Sequence, residues 1–165
     1  MTIAPVAMSD VDALLDRIRE FLEEQTRLEI AFTPRPGWQA GCRTLIEKVT
    51  VSDNYFLDVV KDAGALAAFH LYGFTDEPLF AASRQGYIAD LYVAPAFRRR
   101  GWGRRMVQHA LDRLRQKGVH FVQLNVLLTN PGAFQFWRAI GFHEQFARMK
   151  IDLCDLGELA RTRGA

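Results

Sequence analysis

A strand-like run that leads into a glycine-bearing turn constrains the fold of this chain more than any other feature. Residues 87–93 are rich in β-branched and aromatic side chains, which predicts a strand. Pro95 has no N–H group to donate to a ladder, so the strand must end just before it. Gly101 and Gly103 then precede a helical pattern. Free N–H groups at the positive end of a helix favour an anion, and phosphate is the usual one. We therefore predict a strand, a phosphate-binding turn and a helix.

The remaining periodicity predicts an α/β fold with a mixed sheet, because strand and helix patterns alternate and residues 87–127 read as a strand–helix–strand unit. At 165 residues the chain has room for one core, so we predict a single domain over residues 1–165. The predicted strands span residues 2–7, 55–60, 66–74, 87–93, 119–127 and 143–153, the last as one or two hairpin arms. The predicted helices span residues 10–26, 38–49, 101–117 and 130–140, and residues 75–85 are predicted as a loop.

Charge, cysteine and histidine content argue against several classes of protein. The net charge of +2 is too small to predict a nucleic-acid or membrane partner. Cys42 and Cys154 are far apart, and the four histidines show no ligand spacing, so we predict free thiols in a reducing compartment and no metal site. No apolar run approaches the roughly 20 residues that span a bilayer, and no secretion signal precedes the first helix. We therefore expect a cytoplasmic location.

Three short motifs occur in order along the second half of the chain, and the first of them follows the predicted strand and Pro95. They are Arg98-x-x-Gly101-x-Gly103, Asn130-x-x-Ala133 and Gly141-Phe142. With these motifs the chain resembles the GNAT superfamily of N-acetyltransferases over residues 87–142. The strand before the turn is also similar to that of the diamine and polyamine acetyltransferases. The resemblance implies a GNAT-like mixed, mostly antiparallel central sheet flanked by helices, with a splayed strand pair that binds acetyl-CoA.

The resemblance also implies roles for individual residues. Acetyl-CoA is the expected acetyl donor, with its pantetheine arm paired against the strand edge and its pyrophosphate on backbone N–H groups of the turn. A backbone N–H near Val93 would stabilise the oxyanion formed when an amine attacks the thioester. The other catalytic candidates are Asp90, which would orient the amine or its base water or else pair with an arginine, and Tyr92. No metal is implied. The expected cofactor-binding residues are Leu91, Tyr92, Val93, Arg98, Arg99, Arg100, Gly101, Trp102, Gly103, Arg104, Asn130, Ala133 and Trp137.

Two positions depart from the family pattern. Trp137 stands where many members carry a Tyr that protonates the leaving thiolate, and an indole N–H is not a useful general acid. Ala89 stands where the diamine enzymes carry an acidic residue. A thiol has a pKa of about 8.5 and is a fairly good leaving group, and proximity can contribute about 7–11 kcal/mol. Acetyl transfer is therefore still expected without either group.

The acceptor is left open by the sequence. We expect a primary amine of a small molecule, and the alternatives are a peptide or protein amine and a non-catalytic acyl-CoA-binding module. The arginines around the turn are predicted to face CoA phosphates rather than solvent or nucleic acid. The loop at residues 32–38 is a candidate lid, and homodimers are common among relatives. Acidic residues that converge on the acceptor site would favour a cationic acceptor. The acidic candidates are Glu23, Glu24, Glu29, Asp76 and Glu77.

Overall fold

The computed structural model describes residues 2–79, 81 and 83–151. Its helices are α1 (Val11–Leu28), α2 (Trp38–Thr50), α3 (Trp102–Gln116) and α4 (Pro131–Ile140). Its strands are β1 (Ile3–Pro5), β2 (Tyr55–Asp62), β3 (Ala65–Asp76), β4 (Arg84–Val93) and β5 (Phe121–Leu124). Short 3-10 turns occur at Met8–Asp10, Ile30–Phe32 and Pro95–Phe97. None of the described helices is both long and apolar enough to cross a membrane.

The strands form one sheet in the order β1-β2-β3-β4-β5. Neighbours pair antiparallel from β1 to β4, whereas β4 and β5 are parallel and are joined through α3. The β2–β3 connection turns at Ala63 and Gly64, whose φ values of 47° and 85° have the sign that a two-residue type I′ turn requires. These pairings confirm the predicted α/β fold with a mixed, mostly antiparallel sheet flanked by helices.

Helices cover both faces of the sheet because each has an apolar stripe. On the first face, called here the α1/α2 face, Leu14 and Ile46 pack in one cluster with Phe69 of β3. On the second, the α3 face, Val107 and Leu114 are completely buried. Burial of one such side chain stabilises the fold by about 1.5–3 kcal/mol. The sheet is therefore enclosed between two layers that are mainly apolar.

A group of polar side chains is buried under α3. Asp58 of β2 and His70 of β3 face each other across the ladder and are 1% and 0% exposed. The Tyr72 hydroxyl donates a hydrogen bond to Asp58 Oδ2 at 2.6 Å, and His109 Nε2 and Arg113 Nη1 lie 3.4 and 3.6 Å from the same carboxylate. Neither ring nitrogen of His70 has a hydrogen-bond partner of normal geometry among the described residues, and its polar contact is a weaker one with the backbone of Met106 on α3. Burial lowers the pKa of His70 to about 3.

A β-bulge interrupts β4 at Ala89. Leu71 of β3 pairs with Asp90, and the next residue of β3 pairs with Ile88, so Ala89 has no partner in the ladder. An extra residue reverses the alternation of the strand. Ile88 therefore packs into the α3 face, while Tyr92 packs into the α1/α2 face. Asp90 lies two residues before Tyr92 and takes the same α1/α2 face.

The two parallel strands separate soon after they meet. β4 pairs with β5 only over Gln85–Ile88, which leaves the edge of β4 open from Ala89 onward. The Ala94 N–H donates to the Ala67 carbonyl at 2.9 Å, on the β3 side. Because main-chain groups in an antiparallel strand alternate between its two edges, those of Val93 and Leu91 point to the open edge. The predicted splayed strand pair is therefore present.

Several element boundaries differ from the prediction. β3 and β4 extend into the predicted loop at residues 75–85, where Arg84 makes a two-pronged ion pair with Asp76. β5 is shorter than predicted. Before it, the N–H groups of Gly118 and Val119 bond to carbonyls of α3 and close that helix. After Leu124 the pairing ends. The prediction of a strand over residues 143–153 is wrong for residues 143–151, which pair with no described strand; residues 152–153 lie outside the described residues.

Candidate functional site

The turn after β4 ends in an uncapped helix start. Gly101 is the N-cap of α3 and has φ of 79°, and no side chain caps the helix there. The first intrahelical bond runs from the Arg105 N–H to the Gly101 carbonyl at 3.1 Å. The N–H groups of Trp102, Gly103 and Arg104 therefore have no acceptor within the helix. This cluster of donors at the positive end of the helix dipole is chemically suited to a phosphate.

The two glycines of the motif serve different purposes. Gly101 needs its left-handed backbone, and a Cβ there would make only ordinary van der Waals contact with the Arg105 side chain, at 3.9 Å. A Cβ on Gly103 would instead lie 3.2 Å from the ring of Phe136 on α4 and 4.0 Å from Leu91. Gly103 therefore lets α3 approach α4 closely beside the open edge of β4.

The five arginines near the turn divide into two groups. Arg98 and Arg104 are held by the protein: Arg98 Nε donates to the Val93 carbonyl at 2.7 Å, and Arg104 Nη2 donates to the Ala139 carbonyl at 2.9 Å. Arg100 and Arg105 lie over the rings of Phe97 and Trp102, at 5.7 and 4.5 Å. Arg99 is exposed and has φ of 63°. Arg105 Nη2 also lies 3.5 Å from the Arg100 carbonyl, so Arg99 and Arg100 are the two of the five with no side-chain hydrogen bond to a described residue.

The open edge of β4 presents backbone groups, and its side chains divide between the two faces. The Val93 carbonyl is occupied by Arg98, whereas no described residue hydrogen-bonds its N–H. The backbone groups of Tyr92 point to β3, and its hydroxyl donates to Glu20 of α1 at 3.0 Å. Of the three predicted edge residues, Leu91 and Val93 can therefore pair with a ligand through the backbone, and Tyr92 cannot.

Asp90 is the one catalytic candidate with a titratable carboxyl group. It is half-buried, and no described residue forms a hydrogen bond or ion pair with it. Burial raises its pKa to about 6. The nearby Cys42 of α2 has a thiol pKa raised by burial and by the charge of Asp90. Asp90 thus faces the space beneath α2 as a carboxylate that can accept a proton near neutral pH.

The residues predicted on α4 have local structural roles. Asn130 Oδ1 accepts a hydrogen bond from the Ala133 N–H at 3.0 Å and so caps the helix, with Pro131 at the first helical position. The Trp137 ring packs edge-on between Phe136 and Phe142, at centroid distances of 4.9 and 5.3 Å. Trp137 is part of the α3-side core and offers no proton to a leaving group.

The five acidic residues predicted at the acceptor site (Glu23, Glu24, Glu29, Asp76 and Glu77) are called here the predicted wall. Three of them form ion pairs with basic side chains. Glu24 pairs with Arg98 at 2.7 Å, Glu29 with Lys150 at 3.5 Å, and Asp76 with Arg84 at 2.7 Å. Glu23 and Glu24 line a groove of about 380 Å³ between α1 and residues 92–97, but two arginines of α1 line it as well. The convergence of unpaired carboxylates that would favour a polycationic acceptor is absent from the described part of this wall.

The last residue of α1 is hydrogen-bonded to the segment that precedes α4. Thr129 Oγ1, just before α4, donates to the Leu28 carbonyl at 3.1 Å. The predicted lid over residues 32–38 continues from this point into α2. Sequence reasoning did not find Glu20 or Cys42, since their partners lie 72 and 48 residues away and no motif marks them. No cluster of three or more metal-ligating side chains occurs in the described residues.

Comparisons with known proteins agree with this geometry. The acetyltransferase (GNAT) family model matches residues 15–142. Over 59 residues the chain is 36% identical to the ribosomal protein bS18-alanine N-acetyltransferase of Salmonella typhimurium; the match covers 36% of this chain and only 40% of that relative.

Solved structures match over a longer range. A mutant BH1408 protein of Bacillus halodurans superimposes with a TM-score of 0.81 at 18% identity, over 93% of this chain and 100% of that one. A predicted acetyltransferase of Clostridium acetobutylicum, solved with acetyl-CoA, has a TM-score of 0.74 at 16% identity, over 93% and 97% of the two chains. At these identities the likeness shows the fold.

Proposed function

This chain belongs to the acetyltransferase (GNAT) family, and we propose that it transfers an acetyl group from acetyl-CoA to a primary amine of a small molecule. One observation carries the proposal: the uncapped start of α3 lies directly beyond an open strand edge that carries an unpaired N–H at Val93. A phosphate group and a strand-like amide arm, both present in CoA, fit these two features. The Clostridium relative solved with acetyl-CoA supports the same cosubstrate.

The binding roles follow from the donors that the chain leaves free. The N–H groups of Trp102, Gly103 and Arg104 would hold the pyrophosphate. The main-chain groups of Leu91 would pair with the pantetheine amides, as an added strand pairs with an exposed sheet edge, and the N–H of Val93 would remain for the acyl group. Arg99 and Arg100, which no described carboxylate pairs, are suited to the phosphates.

The chemical roles follow from the backbone of Val93 and the side chain of Asp90. The amine nitrogen forms a bond to the acetyl carbon as the carbon–sulfur bond breaks. The Val93 N–H would donate to the carbonyl oxygen as its negative charge grows. Asp90, with a pKa of about 6, would take the proton that the amine loses. The sulfur departs as a thiolate, for which Trp137 supplies no acid.

The acceptor class is proposed from the charges around Asp90. Three of the five carboxylates of the predicted wall are paired, and of the other two only Glu23 lines the groove, beside two arginines. This modest negative charge suits an acceptor with one amine better than a polyamine. A peptide α-amine is the second candidate, supported by the ribosomal protein bS18-alanine N-acetyltransferase among the relatives.

The test is CoA release in the presence of acetyl-CoA, monitored with a thiol reagent across a panel of monoamines, polyamines and alanine-initiated peptides. We expect turnover with a monoamine and a loss of about 100-fold or more in Asp90→Asn, in the range typical of general bases. Asp53→Asn, an exposed carboxylate in the turn after α2, is the matched control and should retain wild-type activity. Tight CoA binding with no turnover on any acceptor would identify a non-catalytic acyl-CoA-binding module instead.

A further inference from the structure

We infer that Arg98 is a positioning residue that ties the cofactor-pairing edge of β4 to α1, and not a ligand of the CoA phosphates. The inference rests on the proposed function, because the edge matters only if a cosubstrate pairs with it. It changes the role that the motif alone assigns to this arginine.

Two nitrogens of the Arg98 guanidinium are held by the protein. Its Nε donates to the Val93 carbonyl at 2.7 Å, and its Nη2 donates to Glu24 Oε1 at 2.7 Å. Its Cζ lies 5.5 Å from the centre of the Tyr92 ring. Arginine's planar fork can hold two acceptors at once, a geometry that the single ammonium of lysine does not reproduce. Both bonds are charge-assisted on the arginine side, which places them among the stronger hydrogen bonds.

A second contact joins the same two elements. The Tyr92 hydroxyl donates to Glu20 Oε2 at 3.0 Å, and Glu20 also pairs with Arg17 at 2.8 Å. Glu20 and Glu24 are one helical turn apart and so lie on the same side of α1. These two carboxylates of α1 therefore hold Tyr92 directly, and they hold Val93 through Arg98, the residue that begins the motif.

The position of the Val93 carbonyl explains why the attachment of β4 to α1 through Arg98 would affect acetyl transfer. Both main-chain groups of Val93 point to the open edge, where the N–H is the proposed donor to the acyl oxygen. Arg98 occupies the carbonyl, so the edge presents a donor at this residue without a free acceptor beside it. Because α1 and residues 92–97 line one groove, the same contact fixes α1 against the edge that would hold the cosubstrate.

The test compares two acetyl donors, acetyl-CoA and acetyl-pantetheine, which lacks the pyrophosphate. We expect Arg98→Ala to lower kcat with saturating acetyl-CoA and to lower kcat/KM for both donors by a similar factor, about tenfold to a hundredfold for lost charge-assisted bonds. The matched variant Arg99→Ala should raise KM for acetyl-CoA alone. If Arg98→Ala lowers kcat/KM with acetyl-CoA but not with acetyl-pantetheine, and leaves kcat unchanged, Arg98 is a phosphate ligand and the inference is overturned.

Further variants separate positioning from general destabilisation. Glu24→Ala should reproduce part of the loss seen in Arg98→Ala. The double variant should lose little more than Arg98→Ala alone, because the bond between Arg98 and Glu24 is already absent there. Arg98→Lys should recover only part of the loss. If the losses in the double variant are additive, or if lysine restores full activity, the proposal that Arg98 holds both acceptors at once is contradicted.

A readout that needs no acetyl transfer keeps this inference separate from the proposed function. Without any acetyl donor, Arg98→Ala and Glu24→Ala should exchange the amide hydrogens of residues 92–97 faster than the wild type, while Arg99→Ala should not. If the wild type transfers no acetyl group but this exchange pattern holds, the proposed function fails and the attachment stands. If exchange is unchanged in both variants, the attachment itself is refuted.

Discussion

Replacement of His70 by leucine should make the protein more stable in mild acid, and the size of the effect can be worked out from burial. The ring is completely buried, and neither nitrogen has a hydrogen-bond partner of normal geometry among the described residues. An unsatisfied buried polar group costs about 1–3 kcal/mol. Leucine is similar in volume and carries no polar atom, so His70→Leu should raise the free energy of unfolding at pH 7.5 by up to that amount, less any loss of packing.

The pH dependence gives the sharper signature. In the folded chain the pKa of His70 is lowered to about 3, whereas in the unfolded chain it returns to about 6.5. Below pH 6.5 the unfolded state therefore binds a proton that the folded state does not bind, and the free energy of unfolding decreases as pH falls from 6.5 toward 3. At pH 5 the difference of about 1.5 pH units from 6.5 corresponds to about 2 kcal/mol. His70→Leu removes this contribution.

The measurement is urea unfolding followed by circular dichroism at pH 7.5 and pH 5.0. We expect the wild type to lose about 2 kcal/mol more than His70→Leu between the two pH values. The charged and titratable neighbours are Asp58, Tyr72, His109 and Arg113, and all four are present in both proteins. His120→Leu, at an exposed histidine, should follow the wild type. Equal losses in wild type and His70→Leu would refute the reasoning and indicate a partner for the ring.

Three further predictions concern single side chains. Activity should rise with pH through about 6 as Asp90 ionises, and Asp90→Asn should abolish this limb of the pH–rate profile. Because burial raises the pKa of that carboxyl above its ordinary value, the variant should also have a free energy of unfolding at pH 8 that is higher by about 1–3 kcal/mol, measured by urea unfolding. Gly103→Ala should destabilise the protein by about 1–3 kcal/mol, because its Cβ would lie 3.2 Å from Phe136, and Phe136→Leu should relieve part of that loss in a double-variant cycle of melting temperatures. Tyr72→Phe should cost about 1–3 kcal/mol in urea unfolding by removing the 2.6 Å bond to Asp58, and a cost near zero would show that the carboxylate finds another donor.

Local sequence signals predicted the parts of the fold that depend on neighbouring residues. Asn130 followed by Pro131 predicted the start of α4, and Gly118 predicted the end of α3, since each acts within a few residues of its position. The strand and turn before α3 were predicted for the same reason. The predictions of a homodimer and of a cytoplasmic location stay predictions.

Contacts between distant segments were beyond the reach of sequence. The motif predicts that Arg98 binds cofactor, but its partner Glu24 lies 74 residues earlier, and no periodicity connects the two. The pairing of Glu29 and Asp76 with basic residues was hidden for the same reason, so the acidic wall looked more negative than it is. The bulge at Ala89 leaves no signal in composition, because it is a matter of register with another strand.

That bulge has a consequence for anyone who designs variants of this strand. Before Ala89 the even-numbered residues of β4 face α3, and after it the even-numbered residues face α1 and α2. A mutational library laid out on strict alternation would reach the acceptor side at Asp90 but enter the hydrophobic core at Ile88. The series on the α1/α2 face runs Tyr87, Asp90, Tyr92, with a step of three at the bulge. A deletion of Ala89 would join Ile88 directly to Asp90, so the strand would alternate regularly and each later residue would keep its present face.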